Sequence, residues 1–226
     1  MHTIQDLFDE IEEQHSYESC NDPSEIEALE EKYGYSLPVD LKTFYRRYKT
    51  VRMFDSSFGP SYRFVPVSEM HPTRRDIYGE DTDEWGPSTW LTVCDVLDGN
   101  YIAIDIASGS GNQYNYIDCF HETFAEPGES QIIAESFTEL VSSAMRGGGD
   151  RLFWWIEGFV AHGDGMPLTA QNAAIRIEGP KVKDTGWLMR FKHKDKYHRE
   201  FFSDRKHGGK DKSFEEVERY IEEATM

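Results

Sequence analysis

The stretch "WLTVCDVLDGNYIAIDIASGSG", residues 90–111, carries two short runs rich in β-branched and aliphatic residues. Asp98-Gly99 lies between them, a dipeptide that favours the positive φ angles of a tight hairpin turn. Two such runs around such a turn predict an antiparallel pair. Outward in both directions the same texture recurs: "YRFVPV" at 62–67, "QYNYIDCF" at 113–120 and a shorter "QIIA" at 131–134. Gly, Asn, Asp and Ser separate them, so the middle of the chain predicts an antiparallel sheet.

Helical periodicity brackets the sheet. Ile4, Leu7, Phe8 and Ile11 recur at i, i+3, i+4, i+7 and predict a helix over 3–14. In "NDPSEIEALEEKYG", Asp22 is placed to cap, Pro23 to open the helix and Gly34 to stop it, with Ile26, Leu29 and Tyr33 as the apolar stripe. "SLPVDLKTFYRRYKT" predicts a further helix from Pro38 with Leu41, Phe44, Tyr45 and Tyr48 inward. "SFTELVSSAMR" predicts another, with Ser136 as cap and Glu139 completing a capping box. Helices, then strands, then a helix make residues 1–146 an α+β domain.

"GGGD" at 147–150 breaks the pattern, and the aromatic span "RLFWWIEGFVAHGDGMP" follows. Residues 147–170 read as a connector docked by its aromatics, as helix or strand; an exposed aromatic binding stripe is the other reading. Residues 171–226 predict a second module of three strands, "AAIRIEG", "WLMRFKHK" and "KYHREFFS", with a helix from "KDKSFEEVERYIEEA" covering the apolar face.

Composition narrows the function. Hydrophobic content of 38% and aromatic content of 14% suit a globular chain. No apolar run of about 18 residues exists to span a membrane. The acidic, amphipathic N-terminus lacks the basic and apolar regions of a signal peptide, so a cytoplasmic protein is expected. Three scattered cysteines (Cys20, Cys94, Cys119) imply neither a disulfide framework nor structural zinc. The net charge is -18, unevenly spread: residues 181–214 hold 11 basic and 5 acidic residues. An acidic first part repels nucleic acid and attracts basic surfaces, and the basic tail is the one nucleic-acid face the chain offers.

Catalytic and metal motifs are missing. "DIASGSGNQY" lacks the Lys-Ser/Thr of a phosphate loop. Asp95, Asp98, Asp105 and Asp118 match no calcium loop and read as turn and hairpin residues. His121-Glu122 and His162 with Asp164 have no third partner at a ligand spacing. No enzyme, cofactor or metal is expected. "EDTDEWGPSTW" instead sets Trp85 and Trp90 among acids, a composition suited to an interface hot spot, the alternative being a mobile surface insertion.

Two family resemblances follow. "IEALEEKYGYSLPVDLKTFYRRY", "WLTVCDVLDGNYIAIDIASGSG" and "IIAESFTELVSSAM" resemble, in order and spacing, the SUKH superfamily of the yeast Smi and Knr cell-wall-synthesis regulators. The resemblance implies a non-catalytic α+β fold, an antiparallel sheet with flanking helices. It also implies, for bacterial members, an immunity protein that binds and neutralises a toxin, in many cases a nuclease. The chain departs from the pattern at "YKTVRMFDSSFG" and at the long insertion "HPTRRDIYGEDTDEWGPST". On that insertion Glu80, Asp81, Asp83, Glu84 and Trp85 are the expected partner contacts. The tail "GWLMRFKHKDKYHREFFSDRKHGGKDKSFEEVERYIEEA" resembles the APETALA-type DNA-binding domain related to integrase N-terminal domains. That resemblance implies a three-stranded sheet in the major groove of duplex DNA, with Arg176, Arg190, Lys192 and Arg199 as contacts. Its acidic helix is expected to face away from phosphate.

Overall fold

The computed structural model describes residues 3–20, 22–54, 61–96, 99–149 and 151–166, together with the backbone of two strands at 186–193 and 196–203. The predicted first strand of the tail, with Arg176, and its final helix lie outside the described residues, as does Asp98 of the central turn. By contacts the chain divides into two units, residues 1–125 with 130–165, and residues 126–129 with 166–226. Residues 151–165, inside the span expected to be a connector, are internal to the first unit.

The first unit opens with a 3-10 turn at Ile4–Leu7 that runs into α1 (Phe8–Gln14). Next come β1 (Ser16–Ser19), α2 (Ser24–Tyr33), α3 (Val39–Arg47), β2 (Tyr48–Met53) and β3 (Tyr62–Phe64). After these lie α4 (Thr73–Tyr78), β4 (Trp90–Asp95), β5 (Tyr101–Asp105), β6 (Tyr116–Cys119) and β7 (Gln131–Ala134). The unit closes with α5 (Phe137–Gly147) and β8 (Gly163–Asp164). The eight strands form one sheet in chain order, each antiparallel to the next. The expected α+β class and antiparallel sheet are therefore observed, with the predicted β3 to β7 in place.

Four elements depart from expectation. β1, β2, β8 and α4 were not predicted. The helix begun at Pro38 stops at Arg47, and Tyr48 starts β2. The reason is tertiary: Val51 pairs with Tyr17 on one side and Phe64 on the other, and that ladder overrides the continuing helical stripe. Tyr48 is nonetheless buried, as the stripe implied.

Local signals hold at the helix ends. Asp22 Oδ1 accepts from Ser24 N–H at 3.0 Å and Ser24 Oγ at 2.6 Å, while Pro23 takes the cap position. Gly34 ends α2 at φ 73°, a left-handed conformation that glycine adopts without a Cβ clash. Ser136 Oγ accepts from Glu139 N–H at 3.1 Å, as predicted. The Glu139 carboxylate, however, reaches back to Glu135 N–H at 2.8 Å, one residue before the cap.

The core lies between the sheet and the helices. Phe44 of α3, Phe64 of β3 and Phe137 of α5 form a triangle with centroids 4.9 to 5.5 Å apart, each fully buried. Edge-to-face rings of this kind add attraction beyond the area they bury. Asp40 ties the helices together at their starts. Its carboxylate accepts from Leu41 N–H at 2.9 Å and from both Thr138 N–H (2.8 Å) and Thr138 Oγ (3.0 Å) on α5. Its own N–H donates to Asn112 Oδ1 at 3.0 Å, so the glycine-rich loop read above as no phosphate cradle fastens α3 instead. Two helix N-termini share one anion, which answers their orphan amides and their dipoles at once.

In the second unit, β9 (Gly186–His193) and β10 (Lys196–Ser203) form an antiparallel pair.

Candidate protein-binding surface

The insertion between β3 and β4 is built on a clamp. α4 is short, begins after Pro72 and ends at Gly79 with φ 78°. Arg74 projects inward, its side chain only 5% exposed. Its Nε donates to Asp81 Oδ1 at 2.6 Å, and its Nη1 donates to Asp83 Oδ1 at 2.8 Å and to Gly86 C=O at 2.7 Å. Burial alone would weaken that charge; Asp83 and Asp81 beside it hold the guanidinium above its ordinary pKa. Gly86 has φ 110°, and a Cβ there would lie 2.8 Å from the Ala125 Cβ, so the backbone must pass this point as glycine. Residues 79–86 are thereby fixed at both ends and in the middle.

The clamp presents aromatics. Trp85, in a 3-10 turn over Asp83–Trp85, stacks on Tyr78 with centroids 4.5 Å apart. Tyr78 in turn meets Phe124, and Phe124 meets the buried Trp90, each at 6.0 Å. Tyr78 remains 41% exposed.

The five expected contacts separate on this scaffold. Trp85 is half-buried in the stack, and Glu80 is exposed. Asp81 and Asp83 are exposed but already ion-paired to Arg74. Glu84 lies in the turn, and its side chain is outside the description. Sequence reasoning missed Arg74, since its partners lie seven and nine residues away, beyond the i+3 and i+4 neighbours that pair along a helix. It also missed Asp76 of α4, which accepts from Thr92 Oγ at 2.5 Å and faces His71 Nε2 at 3.4 Å. Burial raises the Asp76 pKa, against the pull of the Thr92 hydrogen bond and the His71 charge.

Charge surrounds this surface asymmetrically. Residues 64–165 hold 4 Lys+Arg against 18 Asp+Glu, whereas six cations crowd into residues 42–63. The insertion therefore projects from the acidic part of the sequence.

Among the described residues, no group of three His, Cys, Asp or Glu side chains is positioned to hold a metal. His121 Nδ1 lies 2.8 Å from Asn100 Oδ1, and His162 lies between Glu135 (3.6 Å) and Glu139 (3.1 Å). Cys94 and Cys119 are buried free thiols whose pKa values burial pushes up. In the tail, the register sets Arg190 opposite Arg199 and Lys192 opposite Tyr197. No helix among the described residues is long and apolar enough to cross a membrane.

An antiparallel sheet in chain order, helices fastened through one buried aspartate and a clamped acidic insertion define an α+β domain elaborated at one surface. Residues 21–143 match the SMI1 / KNR4 family (SUKH-1), from α2 into α5, and the chain belongs to that family. Over 140 residues it is 29% identical to Immunity protein YokJ of Bacillus subtilis (strain 168), an alignment covering 62% of this chain and 81% of that protein.

Proposed function

We propose that the chain is an immunity-type protein that binds a partner protein, a cognate toxin, through its acidic first unit and inhibits it by occlusion rather than by catalysis. The similarity to an immunity protein supplies the class. The observation that carries the surface is the clamp: Arg74 holds Asp81, Asp83 and Gly86 C=O, and so presents the Tyr78–Trp85 stack rimmed by acids. A preformed aromatic centre with a charged rim suits a hot spot, and the negative field speeds encounter with a basic partner. The proposed domains are 1–146 for partner binding, with the aromatic connector 147–170 docked on it, and 171–226 as a separate module, in a cytoplasmic protein.

Co-expression with candidate toxins, screened for one that the chain neutralises, tests the reading through cell survival and measured affinity. Glu80→Lys with Glu84→Lys and Trp85→Ala is expected to cost at least tenfold in affinity and to flatten its salt dependence. Asp81 and Asp83 are left intact because reversing them breaks the Arg74 clamp. Unchanged neutralisation would sink this surface.

A second reading keeps one supporting observation. The β9–β10 register sets Arg190 across from Arg199, and two arginines at one register position of an antiparallel pair suit duplex DNA. An APETALA-like tail using Arg176, Arg190, Lys192 and Arg199 predicts that the full chain retards duplex DNA at low salt. Arg190→Ala with Arg199→Ala should abolish the retardation; retardation that survives both rejects the strand face.

A further inference from the structure

Seven large apolar side chains are exposed among the described residues, and three of them, Trp155 (51%), Ile156 (43%) and Val160 (81%), fall within six residues of chain. The loop that carries them is tied down. Leu152, Phe153 and Trp154 are buried, and Phe159 packs on Phe153 at 5.8 Å. Trp155 N–H donates to Leu152 C=O at 2.9 Å and Phe159 N–H to Ile156 C=O at 3.1 Å. His162 N–H donates to Ile132 C=O at 3.0 Å, just before β8 joins the sheet. The exposed residues are therefore held outward by a docked loop, not left over at a frayed end. Trp155 also stands edge-on to Phe120 at 6.2 Å.

Phe120 links this patch to the insertion. Four residues further along the same turn, Phe124 meets Tyr78 of the Tyr78–Trp85 stack. The apolar patch and the acidic insertion are joined by one tight segment of chain. Exposed carboxylates flank the patch at Glu122 and Glu157.

We infer that Trp155, Ile156 and Val160 form the apolar anchor of the partner interface, and that the partner presents a cationic face with an apolar cleft. This rests on the reading that the chain binds a protein through its acidic unit. Charge selects the occupant. The acidic part of a second copy, where residues 64–165 hold 18 Asp+Glu against 4 Lys+Arg, would bring like charges together around the patch, and an anionic lipid surface would repel the same carboxylates. A basic partner gains from the rim, and its apolar cleft is the complement that exposed Ile156 and Val160 lack. Large apolar side chains held exposed within a short stretch of chain mark interaction sites.

Calorimetry on the full chain tests this with three 14-residue peptides: an amphipathic Leu/Lys helix, a Lys/Ser peptide of equal charge and a Leu/Glu helix. The Leu/Lys peptide is expected to bind, the Lys/Ser peptide at least tenfold more weakly, and the Leu/Glu peptide not at all. Ile156→Ser with Val160→Ser, both exposed and outside the core, should cut Leu/Lys binding at least tenfold with an unchanged circular dichroism spectrum. Absence of Leu/Lys binding, equal binding of the two basic peptides, or indifference to the double variant would overturn the inference. So would concentration-dependent self-association in sedimentation that the double variant removes, which would assign the patch to a second copy. If Glu80→Lys with Glu84→Lys abolishes neutralisation of the toxin while the double variant neutralises normally, the surface reading stands and the anchor falls. The opposite pattern keeps the anchor and removes the insertion.

Discussion

Replacing Asp118 with asparagine should make the protein more stable at neutral and alkaline pH, and the gain should grow as pH rises. Asp118 sits on β6 opposite Ile102 and is pushed up to about 7 from an ordinary 3.8 by burial. The Trp154 indole N–H beside it pulls the value back down only in part. Neither Asp118 Oδ1 nor Trp154 Nε1 completes a hydrogen bond of good geometry. A carboxyl with a raised folded pKa binds its proton in the folded state where the unfolded chain has released it. Stability from this group is therefore greatest below 3.8, falls as pH climbs to 7, and stays low above. At about 1.4 kcal/mol per pKa unit the full loss is about 4 kcal/mol, and between pH 5 and pH 8 it is about 2–3 kcal/mol. Asp118 keeps some accessible surface, so water access lowers these figures toward half. Other carboxylates run the opposite way: Glu12, held low by the Arg47 hydrogen bond, and Asp22, held low by Ser24, favour the folded state as pH rises. The difference between wild type and Asp118→Asn removes their contribution. Urea unfolding of both proteins from pH 5 to pH 9 gives that difference directly. It should rise by about 2 kcal/mol toward pH 8 and then level off. Parallel profiles would show that Asp118 ionises normally in the fold and would refute the burial argument.

Trp154→Phe removes the indole that lowers the Asp118 pKa, so the fall in stability should extend to higher pH than in wild type, read in the same titration. Asp40→Ala leaves amides at the starts of α3 and α5 without their acceptor and should cost about 2–3 kcal/mol in urea unfolding; a loss under half a kcal/mol would show that water replaces the carboxylate. Phe44→Ala opens the centre of the three-ring triangle and should cost about 3–5 kcal/mol. Arg74→Ala should leave global stability nearly unchanged, because Asp83 is solvent-exposed, yet speed amide hydrogen exchange at 79–86 at least tenfold; unchanged exchange would mean that Gly86 and the Trp85 stack hold the insertion alone.

Legibility followed the physical source of each element. β4 and β5 were plain because runs of β-branched and aliphatic residues and a turn dipeptide agreed with the ladder that forms. β1, "SYES", was hidden because all four residues are exposed and carry no buried alternation. β2 was hidden behind Tyr48, which satisfies both the helical stripe of α3 and the first position of a strand. Phe153 and Trp154 announced burial by composition, but nothing in composition separates them from Trp155, which points outward from the next position. The inward place of Asp118 was available: it stands two residues after the buried Tyr116, so strand alternation puts an acid on the apolar face. The acidic insertion at 80–85 was legible as a surface feature, but its division between an Arg74 clamp and an exposed rim was not. That division depends on Arg74, whose partners are set by the turn at Gly79 rather than by any repeat.

The division also bears on how the insertion would work under the proposed function. Flexible acidic loops must be ordered on binding, at about 0.5–1.5 kcal/mol for each side chain immobilised. Here folding has already ordered Asp81 and Asp83, because a nearly buried arginine fixes one oxygen of each. The Asp83 side chain is still 94% exposed, so an incoming cation can approach a carboxylate whose orientation is set. The like charges at 80–84 repel one another in isolation, and the guanidinium offsets that repulsion from within, where a partner does not compete for it. The insertion can thus stay both acidic and rigid, a pairing that a run of acids without an internal cation does not achieve. The same logic explains why the clamp closes on Gly86: only a residue without Cβ lets the strand of chain after Trp85 turn against Ala125 while its carbonyl accepts from Arg74. The rigidity of the surface is thus written in Arg74 and Gly86, neither of which needs to touch the partner.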